Sequence, residues 1–280
     1  MRKILVTGAG GFVGARILDQ WRGRYEPCTF PHGFSADSDE AAVRALIARE
    51  KPDVIVHTAA LSNTAYCASH PEESLRANVL LPKWIAKAAA ETGAKLLAFS
   101  SDQVYAGCKR SGPLPETLSL APANVYGCHK LEAEQRVLAI NPDAVLLRAA
   151  WMYDFPGYRL PIRGNLPLNL LSAAKTGTAL HFSEHDFRGV SYVREVIDKL
   201  IPAMELPGGV YNFGSGNDCD MFETVSRFAQ FLGVEVPLEK DHWERNLAMS
   251  GKKLKDFGIQ FDSTIQAFQQ CLDDYGFGHF

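Results

Sequence analysis

Residues 2–21 read RKILVTGAGGFVGARILDQW, and this stretch decides the fold class. A short apolar run leads into a glycine-rich turn and then into a segment with the apolar spacing of an amphipathic helix. Gly8, Gly11 and Gly14 have the spacing GxxGxxG, and Val13 stands where the last glycine of a GxGxxG fingerprint would fall. Glycine lets the backbone approach a phosphate, and the helix N-terminus supplies free N–H groups. The order strand, turn and helix therefore favours a dinucleotide site over a purely structural turn.

The alternation of strand and helix continues through the first half of the chain. Strand patterns lie at 54–60 (VIVHTAA), 95–101 (KLLAFSS) and 144–151 (AVLLRAAW), with a weaker one at 25–30, and helical patterns lie at 39–50, 72–92 and 126–140. Strands and helices at this spacing predict parallel βαβ units and thus an α/β fold, a Rossmann-type doubly wound parallel sheet. Such sheets bind ligands at the carboxyl ends of their strands.

The pattern is less regular after residue 151. We predict a dinucleotide-binding domain over 1–153 and a smaller C-terminal substrate-binding lobe over 154–280. Helices are expected at 166–176, at 190–204 and from Met221, and a strand at 209–215. Segments within residues 183–215 are expected to return to the main sheet.

The composition argues against several classes of partner. The 280 residues carry a formal net charge of −3, which gives no basic surface for nucleic acid or for an anionic membrane. No apolar run approaches the roughly 20 residues that span a bilayer. The six cysteines are scattered without a CxxC pair, which favours free thiols in a reducing compartment. We expect a cytoplasmic protein without a targeting segment, and no His or Cys spacing predicts a metal site.

Two tyrosines precede a lysine by four residues, Tyr126 with Lys130 and Tyr105 with Lys109. Residues four apart on a helix share one face, where a lysine beside a phenol favours the phenolate and can lower its pKa. Tyr105 is followed by AGCKRSGP, whose glycines and proline predict a loop. Tyr126 follows Asn124, a helix N-cap candidate, and leads into good helix formers. Only the second pair is predicted to have helical geometry.

TGAGGFVG, HTAA, SSDQVY and YGCHK follow one another along the chain. In this order and at these distances they resemble the motifs of the extended short-chain dehydrogenase/reductases, well over residues 1–153 and loosely beyond. Within that family, KPDVIVHTAA, RANVLLP, ANVYGCHKLEAEQ and LLRAAWMY are most similar to the dTDP-4-dehydrorhamnose reductase group.

The resemblance implies roles for individual residues. The implied cofactor residues are Gly8, Gly11 and Gly14 at the pyrophosphate, Phe12 and Val13 in the same turn, Ala59 and Ala60 along the cofactor, and Asn78 as a buried asparagine at a helix kink. Ser101, Tyr126 and Lys130 would form the catalytic set, with Tyr126 and Lys130 also at the cofactor. In such a set the tyrosine donates a proton to the carbonyl oxygen, the lysine tunes its pKa and binds the nicotinamide ribose, and the serine orients the carbonyl.

The stretch SDQVYAG (101–107) bears on the type of reaction. The similar 4,6-dehydratases have an Asp-Glu pair that eliminates water, whereas this chain has Asp102 and Gln103. An amide is not a general acid or base near pH 7, so dehydration is disfavoured, and Asp102 favours the reductases over the 4-epimerases. The resemblance implies NAD(P)H-dependent reduction of a 4-keto nucleotide sugar. A nucleotide-sugar 4-epimerase and a non-catalytic NADP(H)-binding regulatory subunit are the alternatives.

The chain departs from the reductase pattern on the substrate side. Asp154 follows Tyr153 where a glycine is usual, and HDFRGVSY (185–192) replaces the usual Asp-Gln-x-Gly-x-Pro-Thr run. Within that stretch Arg188 resembles the arginine by which other extended members bind a nucleotide diphosphate, with a solvated arginine as the alternative. The residues expected on the substrate side are Asp102, Gln103, Trp151, Asn165 and Arg188.

The stretch CTFPHG (28–33) favours NADP(H) as cofactor, with NAD(H) as the alternative. It ends the second strand without the acid that commonly binds the ribose 2′-hydroxyl of NAD. Arg22, Arg24 or His32 could face a 2′-phosphate instead, and His57 is expected to be a packed residue. We expect a small-molecule substrate, a nucleotide sugar, and a homodimer as the candidate assembly.

Overall fold

The structure, a computed structural model, describes residues 1–31, 33–34, 38–157 and 159–277. Its first half contains strands β1 (Lys3–Thr7), β2 (Glu26–Thr29), β3 (Val54–His57), β4 (Lys95–Ser101), β5 (Val145–Ala149) and β6 (Trp151–Tyr153). The helices there are α1 (Phe12–Gln20), α2 (Glu40–Glu50), α3 (Thr64–Ser69), α4 (Pro71–Leu75), α5 (Leu81–Thr92) and α6 (Val125–Ile140). A π-helical turn (Arg76–Leu80) joins α4 to α5, and a 3-10 turn (Asp102–Tyr105) follows β4.

The second half alternates short strands and helices. The strands are β7 (Leu180–Ser183), β8 (Asp186–Arg188), β9 (Val190–Tyr192), β10 (Gly209–Phe213), β11 (Leu238–Asp241) and β12 (Arg245–Leu247). The helices are α7 (Leu166–Thr176), α8 (Val193–Ala203), α9 (Met221–Phe231), α10 (Lys252–Lys255) and α11 (Thr264–Asp274). None of the helices in the described part of the chain is both long and apolar enough to cross a membrane.

Six parallel strands form the main sheet in the order β10-β5-β4-β3-β1-β2. The central strands are buried on both faces, as expected for a parallel sheet covered by helices. One apolar cluster packs α1 and α8 against the sheet, and a second packs α2, α5 and α6 against the other face. The predicted doubly wound α/β fold is confirmed, and the order reverses at β1, so the switch point lies between β1 and β3.

Several predicted elements have different boundaries, and the strands predicted at 54–60 and 209–215 end at His57 and Phe213. The helix predicted at 72–92 is interrupted by the π-helical turn, and the helix predicted at 190–204 begins at Val193, because 190–192 form β9. The strand predicted at 144–151 ends at Ala149, and Trp151 begins β6.

Of the segments expected to return to the main sheet within residues 183–215, only β10 does so, by pairing with β5. β8 and β9 instead pair with β12 and β6 in separate two-stranded sheets. A third apolar cluster, with Tyr153, Phe228 and Phe268 at its centre, packs α7, α9 and α11 together in this half of the chain.

Candidate active site

The carboxyl ends of β1, β3, β4 and β5 open into one large cleft. Its volume is about 1050 Å³, at the upper end of the range for small-molecule sites. Of the predicted site residues, those that line it are Gly8, Gly11, Phe12, Val13, Ala59, Ala60, Ser101, Asp102, Gln103, Tyr126, Lys130, Trp151 and Arg188. The cleft is therefore large enough for a dinucleotide together with part of a second ligand.

The glycine turn is shaped by close backbone contacts. Gly8 has a φ of +68°, and a Cβ there would lie 2.8 Å from the Ala59 nitrogen. A Cβ on Gly14 would lie 2.2 Å from the Gly8 carbonyl oxygen, so glycine is needed for α1 to pack against the turn. Gly14 itself does not line the cleft, and it supports the site from behind. Gly11 is the N-cap of α1, whose first turn has no acidic residue to compete with an anion.

The loop after β3 forms the facing wall. Thr58, Ala59, Ala60 and Leu61 line the cleft there. Asn78 is fully buried in the π-helical turn, where its side chain accepts from the Leu61 N–H at 3.2 Å and donates to the Leu61 carbonyl at 2.9 Å. Asn78 therefore does not line the cleft but fixes a backbone segment that does.

Ser101, Tyr126 and Lys130 meet at one end of the cleft. Ser101 ends β4, and Tyr126 and Lys130 are one turn apart near the start of α6, which Asn124 caps by accepting from the Gly127 N–H at 2.8 Å. The Ser101 hydroxyl donates to Asp102 Oδ1 at 3.2 Å and accepts from the Gln103 N–H at 3.2 Å, and it lies close enough to the Tyr126 phenol to lower its pKa. The Lys130 ammonium donates to the Phe99 carbonyl at 2.9 Å. The structure thus brings the three predicted catalytic side chains together.

Burial sets the protonation of this group. It raises the pKa of the Tyr126 phenol well above its usual value, and it lowers the pKa of Lys130 to about 8. The Lys130 nitrogen is 5.8 Å from the centre of the Tyr126 ring. Desolvation is the largest influence on the phenol pKa, and the charge of Lys130 is not among the main ones, so the predicted lowering of that pKa by Lys130 stays a prediction. Tyr126 is therefore protonated at neutral pH.

The second tyrosine has a structural environment. Tyr105 is 1% exposed, lies outside the cleft lining, and accepts a hydrogen bond from Arg148 Nη1 at 2.8 Å. Its hydroxyl donates to Asn212 Oδ1 at 2.8 Å. Arg148 also forms a buried ion pair with Glu134 at 2.7 Å. Lys109 lies beyond the 3-10 turn that holds Tyr105, so the two do not share a helical face.

Arg188 is a buried residue at the cleft and not a solvated one. Its Nη2 donates to Asp102 Oδ2 at 2.6 Å, and its guanidinium carbon is 5.3 Å from the centre of the Trp151 ring. Its Nε is buried and has no hydrogen-bond partner among the described residues. Gln103 accepts from the Asn124 side chain at 3.2 Å. Four of the five predicted substrate residues thus surround one part of the cleft.

Asn165 is the exception, because its side chain is turned away from the cleft. It caps α7 by accepting from the Leu168 N–H, and it donates to the carbonyls of Asp154 at 2.9 Å and Arg163 at 3.2 Å. Asp154, the residue in place of the usual glycine, forms a buried ion pair with Arg16 at 2.5 Å. Both residues hold the loop between β6 and α7 in place.

The arginines proposed for a 2′-phosphate lie at the end of the sheet opposite to the cleft. Arg22 and Arg24 precede β2 and so lie at its amino end, whereas the cleft is at the carboxyl ends of the strands. His32 lies outside the described residues. His57 is buried as predicted: its Nδ1 is 2.7 Å from the Thr7 hydroxyl, and burial lowers its pKa to about 3.

Sequence reasoning missed several cleft residues, among them Arg76, Arg163, Phe182 and Arg245. Arg245 reaches the cleft because β12 pairs with β8, where its guanidinium forms an ion pair with Asp186 at 2.5 Å. That pairing joins two three-residue strands far apart in sequence and leaves no local pattern. Arg163 lies in a Pro- and Gly-rich loop, where a single arginine gives no signal.

One group outside the cleft lining has metal-ligand chemistry. Ligand atoms of Glu184, His185 and His242 lie within 4.8 Å of one another. Glu184 already accepts from Lys240 at 3.0 Å, and that ammonium would compete with a bound cation.

Several curated proteins are similar to this chain. SpsK of Bacillus subtilis, a spore coat polysaccharide biosynthesis protein, is 24% identical over 85% of this chain and 82% of its own. The dTDP-4-dehydrorhamnose reductase of Aggregatibacter actinomycetemcomitans is 28% identical over 78% of this chain and 75% of its own. Methionine adenosyltransferase 2 subunit beta of Xenopus laevis is 37% identical, over 54% of this chain and 47% of its own.

Solved structures share the fold over the whole chain. A dTDP-4-dehydrorhamnose reductase from Bacillus anthracis, in complex with NADP, matches with a TM-score of 0.87 at 19% identity and covers 98% of both chains. WbmG of Bordetella bronchiseptica, in complex with NAD and UDP, has a TM-score of 0.79 at 21% identity and covers 98% of this chain and 96% of its own.

These matches confirm the resemblance to the extended short-chain dehydrogenase/reductases. A family match described as the RmlD substrate binding domain extends over residues 1–241, which include the glycine turn, the Ser-Tyr-Lys group and Arg188. The chain belongs to the RmlD substrate-binding-domain family.

Proposed function

We propose that the protein uses NADP(H), in preference to NAD(H), to reduce the 4-keto group of a nucleotide sugar. The observation that carries this proposal is the convergence of Ser101, Tyr126 and Lys130 in the cleft that begins at the glycine turn. The short Gly8–Gly14 contacts and the free N–H groups at the start of α1 suit a pyrophosphate. When bound, the reduced nicotinamide would supply the hydride.

The protein's own residues would handle the proton. The protonated Tyr126 donates it to the carbonyl oxygen, so that ketone, hydride and proton together give the alcohol. Ser101, whose hydroxyl lies beside the phenol, would hold the carbonyl oxygen in line with it. Lys130, fixed by the Phe99 carbonyl, then stabilises the phenolate that is left.

The substrate end of the cleft suits a nucleoside diphosphate. Arg188 and Arg245 provide two guanidinium groups, which are ion-paired with Asp102 and Asp186 and have further N–H groups that can donate to a phosphate. Trp151 and Phe182 provide aromatic surface in the same cleft. In this proposal residues 1–153 hold most of the dinucleotide, and residues 154–280 add Phe182, Arg188 and Arg245 to the substrate side.

Reduction is favoured over dehydration by the residues next to Ser101. Gln103 carries an amide, and Asp102 is held in an ion pair with Arg188 at 2.6 Å. Neither is a free acid for elimination of water. The preference for NADP(H) is supported by Arg76, which lines the cleft and donates to the Ser38 carbonyl in the segment that follows β2.

The test incubates the protein with each of a panel of nucleotide sugars and with NADPH or NADH. The absorbance of the reduced nicotinamide measures turnover. We expect one NADPH to be oxidised per sugar with a 4-keto substrate such as dTDP-4-keto-6-deoxyhexose, and a lower kcat/KM with NADH. Interconversion of a 4-hydroxy pair with no net change in nicotinamide would show an epimerase instead.

A regulatory subunit is the second candidate, favoured by the likeness to methionine adenosyltransferase 2 subunit beta over 54% of the chain. Such a subunit would bind NADPH tightly, and none of the sugars on the panel would cause it to oxidise NADPH. The retained Ser-Tyr-Lys group argues for the enzyme, because binding alone needs no proton donor.

A further inference from the structure

The loop between β6 and α7 extends to the cofactor end of the cleft. Among the described residues of this loop, Arg163 and Gly164 line the cleft. Asp154 is at the start of this loop, and the loop's anchors begin there.

Three side chains fix the loop. Arg16 on α1 donates through Nε to Asp154 Oδ2 at 2.5 Å and through Nη1 to the Pro161 carbonyl at 2.7 Å. Asn165 donates to the Arg163 carbonyl at 3.2 Å, and the Tyr275 hydroxyl donates to Asp154 Oδ1 at 2.8 Å. The backbone is therefore held on both sides of Arg163, which restricts where its side chain can lie.

The Arg163 side chain lies between the two walls that flank the glycine turn. Its Nη1 donates to the Ser62 hydroxyl at 2.9 Å, in the loop after β3. Its guanidinium carbon is 5.3 Å from the centre of the Phe12 ring, at the start of α1. These are the two segments between which a dinucleotide pyrophosphate would lie.

The charge of Arg163 has no acidic partner within ion-pair distance in the described part of the chain. The side chain remains exposed to solvent through the open cleft, yet the surrounding protein lowers its pKa by desolvation. Arg16 is a further positive charge nearby. A cation placed in this way is stabilised by a bound anion.

We propose that Arg163 binds the pyrophosphate of the cofactor, with its guanidinium donating to phosphate oxygens and spanning the cleft from Phe12 to Ser62. This inference rests on the proposed binding of a nicotinamide dinucleotide. It gives Asp154 and Asn165 a purpose in the site, since both position the loop that carries Arg163.

The test is the dissociation constant of NADPH, measured by fluorescence titration for the wild type, Arg163→Gln, Arg163→Lys and the control Arg136→Gln. Arg136 is on α6, where its partner is Glu132, so its loss removes one positive charge away from the cleft. Charge-assisted hydrogen bonds predict a roughly tenfold or greater weakening in Arg163→Gln. Partial recovery is expected in Arg163→Lys and no change in Arg136→Gln.

A second titration, with 2′-phospho-ADP-ribose and with reduced nicotinamide riboside, identifies the part of the cofactor that Arg163 binds. The Arg163→Gln variant should bind the first ligand more weakly and the second unchanged. Equal NADPH affinity in wild type and a folded Arg163→Gln variant would overturn the proposal. A variant that lost affinity for the sugar substrate alone would overturn it as well. Failure of the wild type to bind NADPH would instead contradict the proposed function.

Discussion

Tyr126 lines the cleft beside Ser101, whereas the hydroxyl of Tyr105 is hydrogen-bonded to Arg148 and Asn212 in the core. Tyr126→Phe should lower kcat by about 100-fold or more, the usual worth of a general acid, with little change in the dissociation constant of NADPH. Steady-state kinetics and fluorescence titration measure the two.

Tyr105→Phe is the matched control. It removes the same hydroxyl but leaves two buried polar groups unpaired, so it should lower the free energy of unfolding by about 1–3 kcal/mol without changing kcat. Urea denaturation measures the stability. Equal losses of turnover in the two variants would contradict the assignment of Tyr126 as the proton donor.

Lys130 gives the protein a pH dependence in the neutral to basic range. Burial lowers its pKa to about 8, so the free enzyme loses this charge as the pH rises through that value. We expect kcat/KM of the wild type to decrease above that pH. The Lys130→Arg variant, which stays charged, should have a lower kcat/KM that does not decrease there. A decrease at the same pH in the arginine variant would assign it to another group.

The stability change through Lys130 has the opposite direction. The lysine of an unfolded chain keeps its proton up to about 10.5, whereas the folded protein releases it near 8. Between these values the unfolded chain binds more protons, so this group makes the free energy of unfolding rise with pH. Urea denaturation of the wild type and Lys130→Met as a function of pH should show that rise in the wild type alone.

At the scale of the elements, the start of α1 depends on the contact between Gly14 and Gly8. Gly14→Ala would place a Cβ 2.2 Å from the Gly8 carbonyl oxygen, which cannot move freely. We therefore expect the free energy of unfolding to decrease by about 1–3 kcal/mol or more. Gly10→Ala is the control, because a Cβ there meets nothing within 4 Å. Equal melting temperatures of the two variants would show that the turn tolerates the Cβ.

The elements that sequence could predict are those with a local pattern. The strands of the main sheet have apolar runs that a sequence displays directly. The helices α2, α6 and α7 also begin at recognisable caps, such as Asn124 and Asn165. The pairs β6–β9 and β8–β12 have three residues a strand and distant partners, so no local signal marks them. The position of Arg245 followed from such a pair and was not predicted.

At the scale of the molecule, the cofactor side of the cleft was largely predictable and the substrate side only in part. The glycine turn, Ser101 and the Tyr126–Lys130 pair lie at strand ends or helix starts, where parallel topology dictates their convergence. The prediction of Asn165 on the substrate side rests on a resemblance, and the prediction of Arg22 and Arg24 at a 2′-phosphate rests on their proximity to β2 in the sequence. Their orientations depend on tertiary contacts, such as the bond from Asn165 to the Arg163 carbonyl.

In the proposed reaction, hydride passes from the cofactor to a sugar ketone that receives its proton from Tyr126. The most direct measurement uses NADPH deuterated at both C4 positions with dTDP-4-keto-6-deoxyhexose, and mass spectrometry and NMR of the sugar. We predict a product that carries one deuterium at C4 in the wild type and a yield at least about 100-fold lower in Tyr126→Phe over the same time. A reduced or epimerised sugar without deuterium, or equal labelling by both proteins, would contradict this proposal.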